Sequence, residues 1–547
     1  MKTKIGWLLL SCLMVLALVL ASCRPAPAEE EEVVTGKVVE KEAVEKEEAP
    51  PAKEGPKYGG IIQAVSSYEP SSLDPHKGVS GADAEYWRQT HDVLMGANVK
   101  FEPDPSLGLA ESWEMPNNTT MIFHLRKGIQ FHDGTDFNAE AVKWNIERCM
   151  NPEVAATPKA SFDVIDSVEV LDDYTIKFNL KQPWGGVVDA LGDRGGAMNS
   201  PAAVQKYGKD YGFNPVGTGP FKLEEYVSGS YCKLVRNDDY WMKDADGNSL
   251  PYVDGVKIVL IKDPTVISAA LETGELDMAW IPPKDIEKFE KNPDFYIIKF
   301  PGSGVGPLWH FNLTIPPADN LYFRKAICYG VNPEAVNQAV YFGRMTVADS
   351  GMWTPSSWAY DPDVERPYYD PEKAREFLKK SGYPEGIKVD VDTWNLPTLM
   401  QTAEMYQAQL AEIGIDIELH VFDVGTASQK MWSTREFPVF LTSWSHYPEP
   451  DHICRLNYSK DGYYNSGHVE FPEIEELIKA GASIYDIDKR KAIYKRINQH
   501  ILEQCIYVPT LYSNGYMGIH KYIKGATFET LFSGTAKALY YRLWIEK

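Results

Sequence analysis

The strongest constraint on the fold is a change of period between Thr398 and Val421. Apolar residues recur at helical spacing from Thr398 to Ile413, Gly414 stops the run, and Ile415 to Val421 then alternates as a strand does. A helix handed directly to a strand through one glycine is the building step of an α/β protein, in which helices cover the faces of a sheet. The same alternation recurs elsewhere. Thr120–Leu125 and Tyr174–Leu180 read as half-buried strands. Asn138 is placed to cap a helix over Ala139–Met150, and Asp370 with Pro371 starts another that runs to Lys380. No repeat of 20–50 residues and no internal low-complexity linker divides the chain.

Composition excludes several functions. At 547 residues, 44% hydrophobic and 12% aromatic, the chain is too long and too rich in core-forming side chains to be disordered. A formal net charge of −22 without a basic stripe argues against nucleic-acid binding. The acidity is a property of the body, because residues 24–57 carry ten acidic and six basic side chains and account for little of it.

The amino terminus reads as an export signal. Lys2 and Lys4 precede an apolar run from Ile5 to Val19, broken only by Gly6, Ser11 and Cys12, and small residues follow. Leu20-Ala21-Ser22-Cys23 resembles the lipobox of bacterial lipoproteins. That resemblance implies a signal peptide over 1–22 and a diacylated Cys23 as the mature amino terminus, anchored by its acyl chains. Residues 23–57 then form a lipidated, Glu- and Pro-rich flexible tether. Of the remaining cysteines, Cys149, Cys232, Cys328, Cys454 and Cys505, an odd number leaves at least one unpaired, and no C-x-x-C spacing marks a zinc or redox site.

Longer strings carry a family resemblance. They are Ser71-Ser72-Leu73-Asp74-Pro75, Leu109-Ala110-Glu111-Ser112-Trp113, Phe123 to Gly134, Asn214 to Phe221, Arg236 to Trp241, Gly274-Glu275-Leu276-Asp277, Asn320 to Ile327 and Tyr369 to Ala374. Together they resemble family 5 of the extracellular solute-binding proteins, the oligopeptide-, dipeptide- and nickel-binding components of bacterial ABC importers. The resemblance spans Tyr58 to Lys547. It implies an α/β fold, the two-lobed type II periplasmic-binding-protein clamshell with an extra subdomain on lobe one. The core of lobe one would comprise 58–97, 182–304 and 512–547, the inserted subdomain 98–181, and lobe two 305–511. The chain would cross between lobes near Pro301–Gly306 and Thr510–Tyr512, where glycines suit a hinge.

The same resemblance nominates a ligand site. Tyr68 belongs to a stretch that borders the ligand in the family, with packing at the lobe edge as the alternative. Trp353 follows a loop that faces the cavity in relatives, and Trp394-Asn395 ends a strand that opens on the cleft. In peptide-binding relatives the stretch beginning at Trp444 reads Trp, two small residues and an aspartate that pairs with the ligand's ammonium. Here it is one residue shorter, and Ser445 or His446 stands where the carboxylate would be. A buried ammonium without a counter-charge is costly, so peptide specificity needs another acid. Core packing is the alternative for Trp353, Trp394 and Trp444, and Trp432 in its helical stretch reads as core.

The expected protein is therefore a lipid-anchored substrate-binding component of an ABC transporter. It would take a small organic or peptide-like ligand in an aromatic-lined interlobe cleft. Its partners would be that ligand, an ABC permease and ATPase, and the membrane through the lipid, with no nucleic acid and the receptor itself monomeric. It would work on the outer face of the cytoplasmic membrane or in the periplasm. A sugar-binding receptor, a surface sensor and a secreted hydrolase are the alternatives. Gly217-Thr218-Gly219 reads as a tight turn, since a phosphate cradle needs the rest of a nucleotide fingerprint. No zinc-protease motif, nucleophile elbow or Walker loop indicates an enzyme, and His446, His452, Cys454 and His468 match no compact metal motif, so no metal or cofactor is expected.

Overall fold

The computed structural model describes residues 55–79, 83–99, 102–445, 449–462, 464–532 and 539–547, with the backbone alone at Val424 and Ser445. The signal segment, Cys23 and the tether up to residue 54 lie outside the described residues, as does His446. The elements below belong to the unit Pro56–Lys547.

Strand β1 (Ile61–Ser66) is followed by an antiparallel sheet of β2 (Ala110–Asn117), β3 (Thr120–Leu125), β4 (Ile165–Asp172) and β5 (Thr175–Leu180), in the order β2-β3-β5-β4. The period-2 pattern buries Met121, Phe123 and Leu125 of β3 with Ile176, Phe178 and Leu180 of β5. Against them packs the helix Ala139–Met150, whose first turn is closed by the Asn138 side chain accepting from the Ala141 N–H at 3.0 Å. A second sheet joins β6 (Phe221–Val227), β7 (Tyr231–Arg236) and β8 (Gly255–Leu260) to β1, which lies parallel to β8. Thr218 of the glycine pair donates to the buried Asp92 carboxylate at 2.9 Å, which also accepts from Tyr240 and Trp241, so that turn is a structural anchor.

After the short β9 (Met278–Trp280) comes β10 (Phe295–Phe311), the longest strand at 17 residues, and then β11 (Thr346–Val347), β12 (Ile387–Trp394), β13 (Ile415–Phe422), β14 (Val439–Ser445), β15 (Tyr507–Pro509) and β16 (Leu511–His520). They form one eight-stranded sheet with the path β11-β16-β10-β14-β12-β13. β12 lies parallel to both β13 and β14. The helix between β12 and β13 is Pro397–Ala411, one residue earlier at its start than its sequence pattern suggests because Pro397 takes the first helical position, and Ile413 belongs to the turn that ends at Gly414.

Two lobes follow from how the apolar residues cluster. One core gathers Ile62, Phe221, Leu234, Val256 and Ile258, the other Phe323, Val389, Leu410, Ile415 and Leu441. β10 feeds both, with Phe300 in the first and Trp309 and Phe311 in the second, and so does β16, through Met517 and Leu511. Between the cores the ladder is irregular. Its register shifts between Phe300 and Gly304 against β16, and between Val305 and Leu308 against β14. Gly306 there has φ +140°, and a Cβ would stand 2.7 Å from the Cα of Ser443. Only glycine lets the two strands approach so closely.

Burial leaves several histidines neutral. It lowers His76 and His91 to about 4, and His132 and His310 to about 3. Each protonates in the unfolded chain near 6.5, so below that pH the unfolded state binds more protons and stability falls with acidification, by on the order of 3 kcal/mol per such histidine near pH 4. Burial raises the carboxyls of Asp92 to about 6 and Glu449 to about 7, which act in the opposite sense but are outnumbered. Urea midpoints should therefore decline from pH 7 to pH 5, and His310→Gln should flatten that decline. A midpoint that rises on acidification would contradict the assignment.

Candidate functional site

The parallel strands β12, β13 and β14 end at one edge of the sheet, the edge beside the crossing strands. In open α/β sheets the crevice outside the carboxyl ends of parallel strands is where ligands bind. Trp394 closes β12. Trp444 sits one residue before the end of β14, opposite Val305, and Ser445 lies opposite Gly304. The loop from residue 429 to 434 widens into a π turn, a local device common at functional sites, and places Trp432 between them. Ring centroids run 6.1 Å from Trp394 to Trp432 and 6.0 Å from Trp432 to Trp444, and Tyr464 lies 5.3 Å from Trp432 and 5.2 Å from Trp444. The contacts are edge-on or tilted, which leaves ring faces available instead of stacked on each other.

The wall also carries unpartnered donors. The indole N–H groups of Trp394, Trp432 and Trp444 are all buried and have no hydrogen-bond partner among the described residues. A buried donor without an acceptor costs roughly 1–3 kcal/mol; Trp87, Trp184, Trp309 and Trp353 carry such donors too, and those of Trp394, Trp432 and Trp444 differ in lying together.

The remaining sequence-nominated residues are placed differently. Tyr68 is exposed just past the end of β1, and its carbonyl accepts from the Tyr86 hydroxyl at 2.9 Å. Asn395 is exposed, with its backbone N–H on the Phe422 carbonyl at 2.7 Å. Trp353 is wholly buried in the second lobe's core, its ring 6.2 Å from that of Tyr494. The side chain of Ser445 and all of His446 lie outside the described residues. Trp432, read from the sequence as core, is the ring that joins the wall together, and Tyr464 joins it without any sequence signal beyond being aromatic.

A second contact joins the two lobes. The segment Trp184–Asp189, packed on the β2–β5 core, reaches the helices of the second lobe. Gly185 N–H donates to the Ala482 carbonyl at 2.7 Å, Trp184 N–H to the Tyr485 hydroxyl at 3.0 Å, and Asp189 stands 3.4 Å from His452. Between them lies a cavity of about 180 Å³, with Trp113, Met115 and Met121 on one side and Trp358, Tyr485 and Arg490 on the other. The Arg490 guanidinium pairs with the buried Glu449 and lies 5.0 Å above the Trp358 ring. Burial pushes the Glu449 carboxyl up and Arg490 opposes it. Glu449 thus has a structural partner and caps the helix start at Asp451. Across the back of the crossing, Arg344 makes a bidentate pair with Glu290 at 2.9 and 2.8 Å. Asp390, Glu418 and His420 are the group of metal-ligand type among the described residues; Asp390 and Glu418 are exposed, on the strand pair β12 and β13.

The model of the bacterial extracellular solute-binding proteins, family 5, matches residues 104–465. The chain belongs to that family. Curated family 5 relatives include the glutathione-binding protein GsiB of Salmonella choleraesuis, 30% identical over 82% of this chain and 88% of that protein. The protein of the same name from Pectobacterium atrosepticum is 32% identical over 80% and 85%. Among solved structures, CtaP of Listeria monocytogenes superposes with a TM-score of 0.79 at 24% identity, covering 90% of this chain and all of the other. DppA of Helicobacter pylori in complex with the peptide STSA does so at 0.76 and 24%, covering 90% and 99%. The fold is the two-lobed α/β clamshell of periplasmic binding proteins. As a family 5 protein it is a substrate-binding component of ABC importers, extracellular or periplasmic, and no helix among its described residues is long and apolar enough to cross a membrane.

A family 5 clamshell must open to admit solute, and Gly185 lies where the β2–β5 core meets the second lobe. A Cβ at Gly185 would lie 2.8 Å from the Ile484 carbonyl and 2.9 Å from that of Ala482. Gly185→Val should hold the lobes apart, seen in small-angle scattering as a larger radius of gyration than the wild type when both are saturated with solute. An unchanged radius would mean that this contact does not limit closure.

Proposed function

We propose that this family 5 protein is a lipid-anchored receptor that captures short, acceptor-rich peptide-like solutes between its lobes and delivers them to an ABC permease and ATPase. The observation that carries the ligand class is the wall of Trp394, Trp432 and Trp444, with three buried indole donors and no acceptor among the described residues. Amide carbonyls and carboxylates of a small peptide supply such acceptors, while the ring faces take its aliphatic parts. The relatives named for glutathione binding support the same class. Ser445, His446, Tyr68 and Asn395 would line the polar side of the site, and Trp353 would back it from within the core. With no aspartate after Trp444, the ligand is recognised through its acceptors more than through its ammonium group.

In this reading lobe one is 58–97, 182–304 and 512–547, carrying the 98–181 subdomain, and lobe two is 305–511. Closure is selected because only the closed state brings both lobes onto the ligand. Cys23 would carry the lipid and residues 24–57 would tether the body to the membrane.

Calorimetry and thermal shift against short peptides including glutathione, sugars and metal chelates test the ligand class. A peptide at 100 times its dissociation constant should add about 2.7 kcal/mol of stability. Trp432→Ala should weaken that peptide tenfold or more while the protein remains folded. A response to sugars alone would overturn the reading. For the anchor, Cys23→Ser should move the protein from the membrane fraction to the soluble extracytoplasmic fraction; unchanged membrane association would remove lipidation at Cys23 from the account.

A further inference from the structure

The five cysteines of the described residues are all buried, and they are distributed unevenly among the cores. Cys149 lies with the β2–β5 sheet, Cys232 with β7 and Cys454 with Trp353 and Tyr494, each in a separate cluster. Cys328 and Cys505 share one cluster in the second lobe. Cys328 is in the last turn of the helix Leu321–Gly330, and Cys505 lies two residues beyond the helix Ile487–Glu503. One turn before Cys328, on the same helix face, Arg324 donates from Nε to the Gln504 carbonyl at 2.9 Å. That bond holds the turn containing Cys505 against the helix containing Cys328. Cys505 itself has φ +46°, a left-handed backbone uncommon for a residue with a side chain. Cys328 and Cys505 thus stand in the same core as free thiols, and burial first, with the neighbouring Cys505 adding to it, raises Cys328 well above an ordinary thiol.

Family 5 proteins work outside the cytoplasm, where disulfides form and persist. We infer that Cys328 and Cys505 are joined by a disulfide in the exported protein, stapling the two helices of the second lobe across 176 intervening residues. The bond forms by thiol–disulfide exchange with an oxidised extracytoplasmic disulfide carrier. One thiolate attacks the carrier's disulfide and gives a mixed disulfide. The second thiolate displaces the carrier, which leaves as its dithiol holding the two electrons, and the two cysteines give up two protons. Because burial disfavours the thiolate, exchange belongs to the stage before this core closes. The three cysteines in other clusters have no cysteine neighbour in their own cores and remain thiols.

The test uses the full chain exported from its own type of host, quenched in acid, denatured and alkylated with N-ethylmaleimide without reductant, then digested with trypsin. A species linking residues 326–344 to residues 497–521 is expected, and it should disappear on reduction. Both peptides singly alkylated without reduction, or either linked to Cys149, Cys232 or Cys454, would overturn the inference. As a second readout, Cys328→Ser and Cys505→Ser should each lower Tm by several degrees and the double variant no further. Additive losses would mean two independent packing contacts and no bond. Neither readout depends on which solute is bound.

Discussion

The pairing of β10 with β16 is the constraint on which the rest of this structure depends. Six residue pairs run from Phe295 opposite His520 to Phe300 opposite Gly515, sending Phe300, Met517 and Ile519 into the first lobe's core, and Gly304 opposite Ser513 resumes the ladder on the other side. The same two strands are therefore core strands of both lobes. A clamshell built this way cannot lose its hinge without losing part of each core. The ladder is broken only over a few residues, and β14 docks on β10 immediately beyond that break with Trp444 opposite Val305.

Much of this was written in local sequence. The switch at Gly414 identified a helix delivering a strand, and the structure places Ile415–Phe422 parallel to Ile387–Trp394 with that helix between them. Asn138 and Asp370 both cap the helices their positions indicated. Side-chain period decides such elements, and period is a property of neighbours in sequence. The aromatic wall is different, since it depends on which strand ends converge. Trp394 and Trp444 are 50 residues apart in sequence and come together because β12 and β14 are parallel neighbours. Trp432 looks like a core tryptophan in its own helical segment, and only the widened turn and the two flanking strands turn it into the centre of the wall. Trp353 shows the reverse, a residue whose loop suggested the cleft and whose ring lies among Tyr494 and its neighbours.

The buried charges are matched to the packing in a similar way. Asp74 of the Leu-Asp-Pro string is almost fully buried and pairs with Arg148, and the neighbouring His76 stays neutral between Arg148 and the Ala197 carbonyl. Glu449 and Arg490 do the same in the other lobe. Breaking one partner of such a pair leaves an uncompensated charge, so these residues fix a unique arrangement even where their net contribution to stability is small. The strong acidity of the chain is carried elsewhere, on exposed side chains that keep it soluble.

The place where the chain leaves and re-enters the first lobe has a further consequence. Val305 and Tyr512 are paired on adjacent strands, so everything between them, including β12 to β14 and all four rings of the wall, begins and ends at a single rung of the ladder. Closing a long excursion costs only logarithmically more than closing a short one. The second lobe is thus a cassette with its two ends side by side.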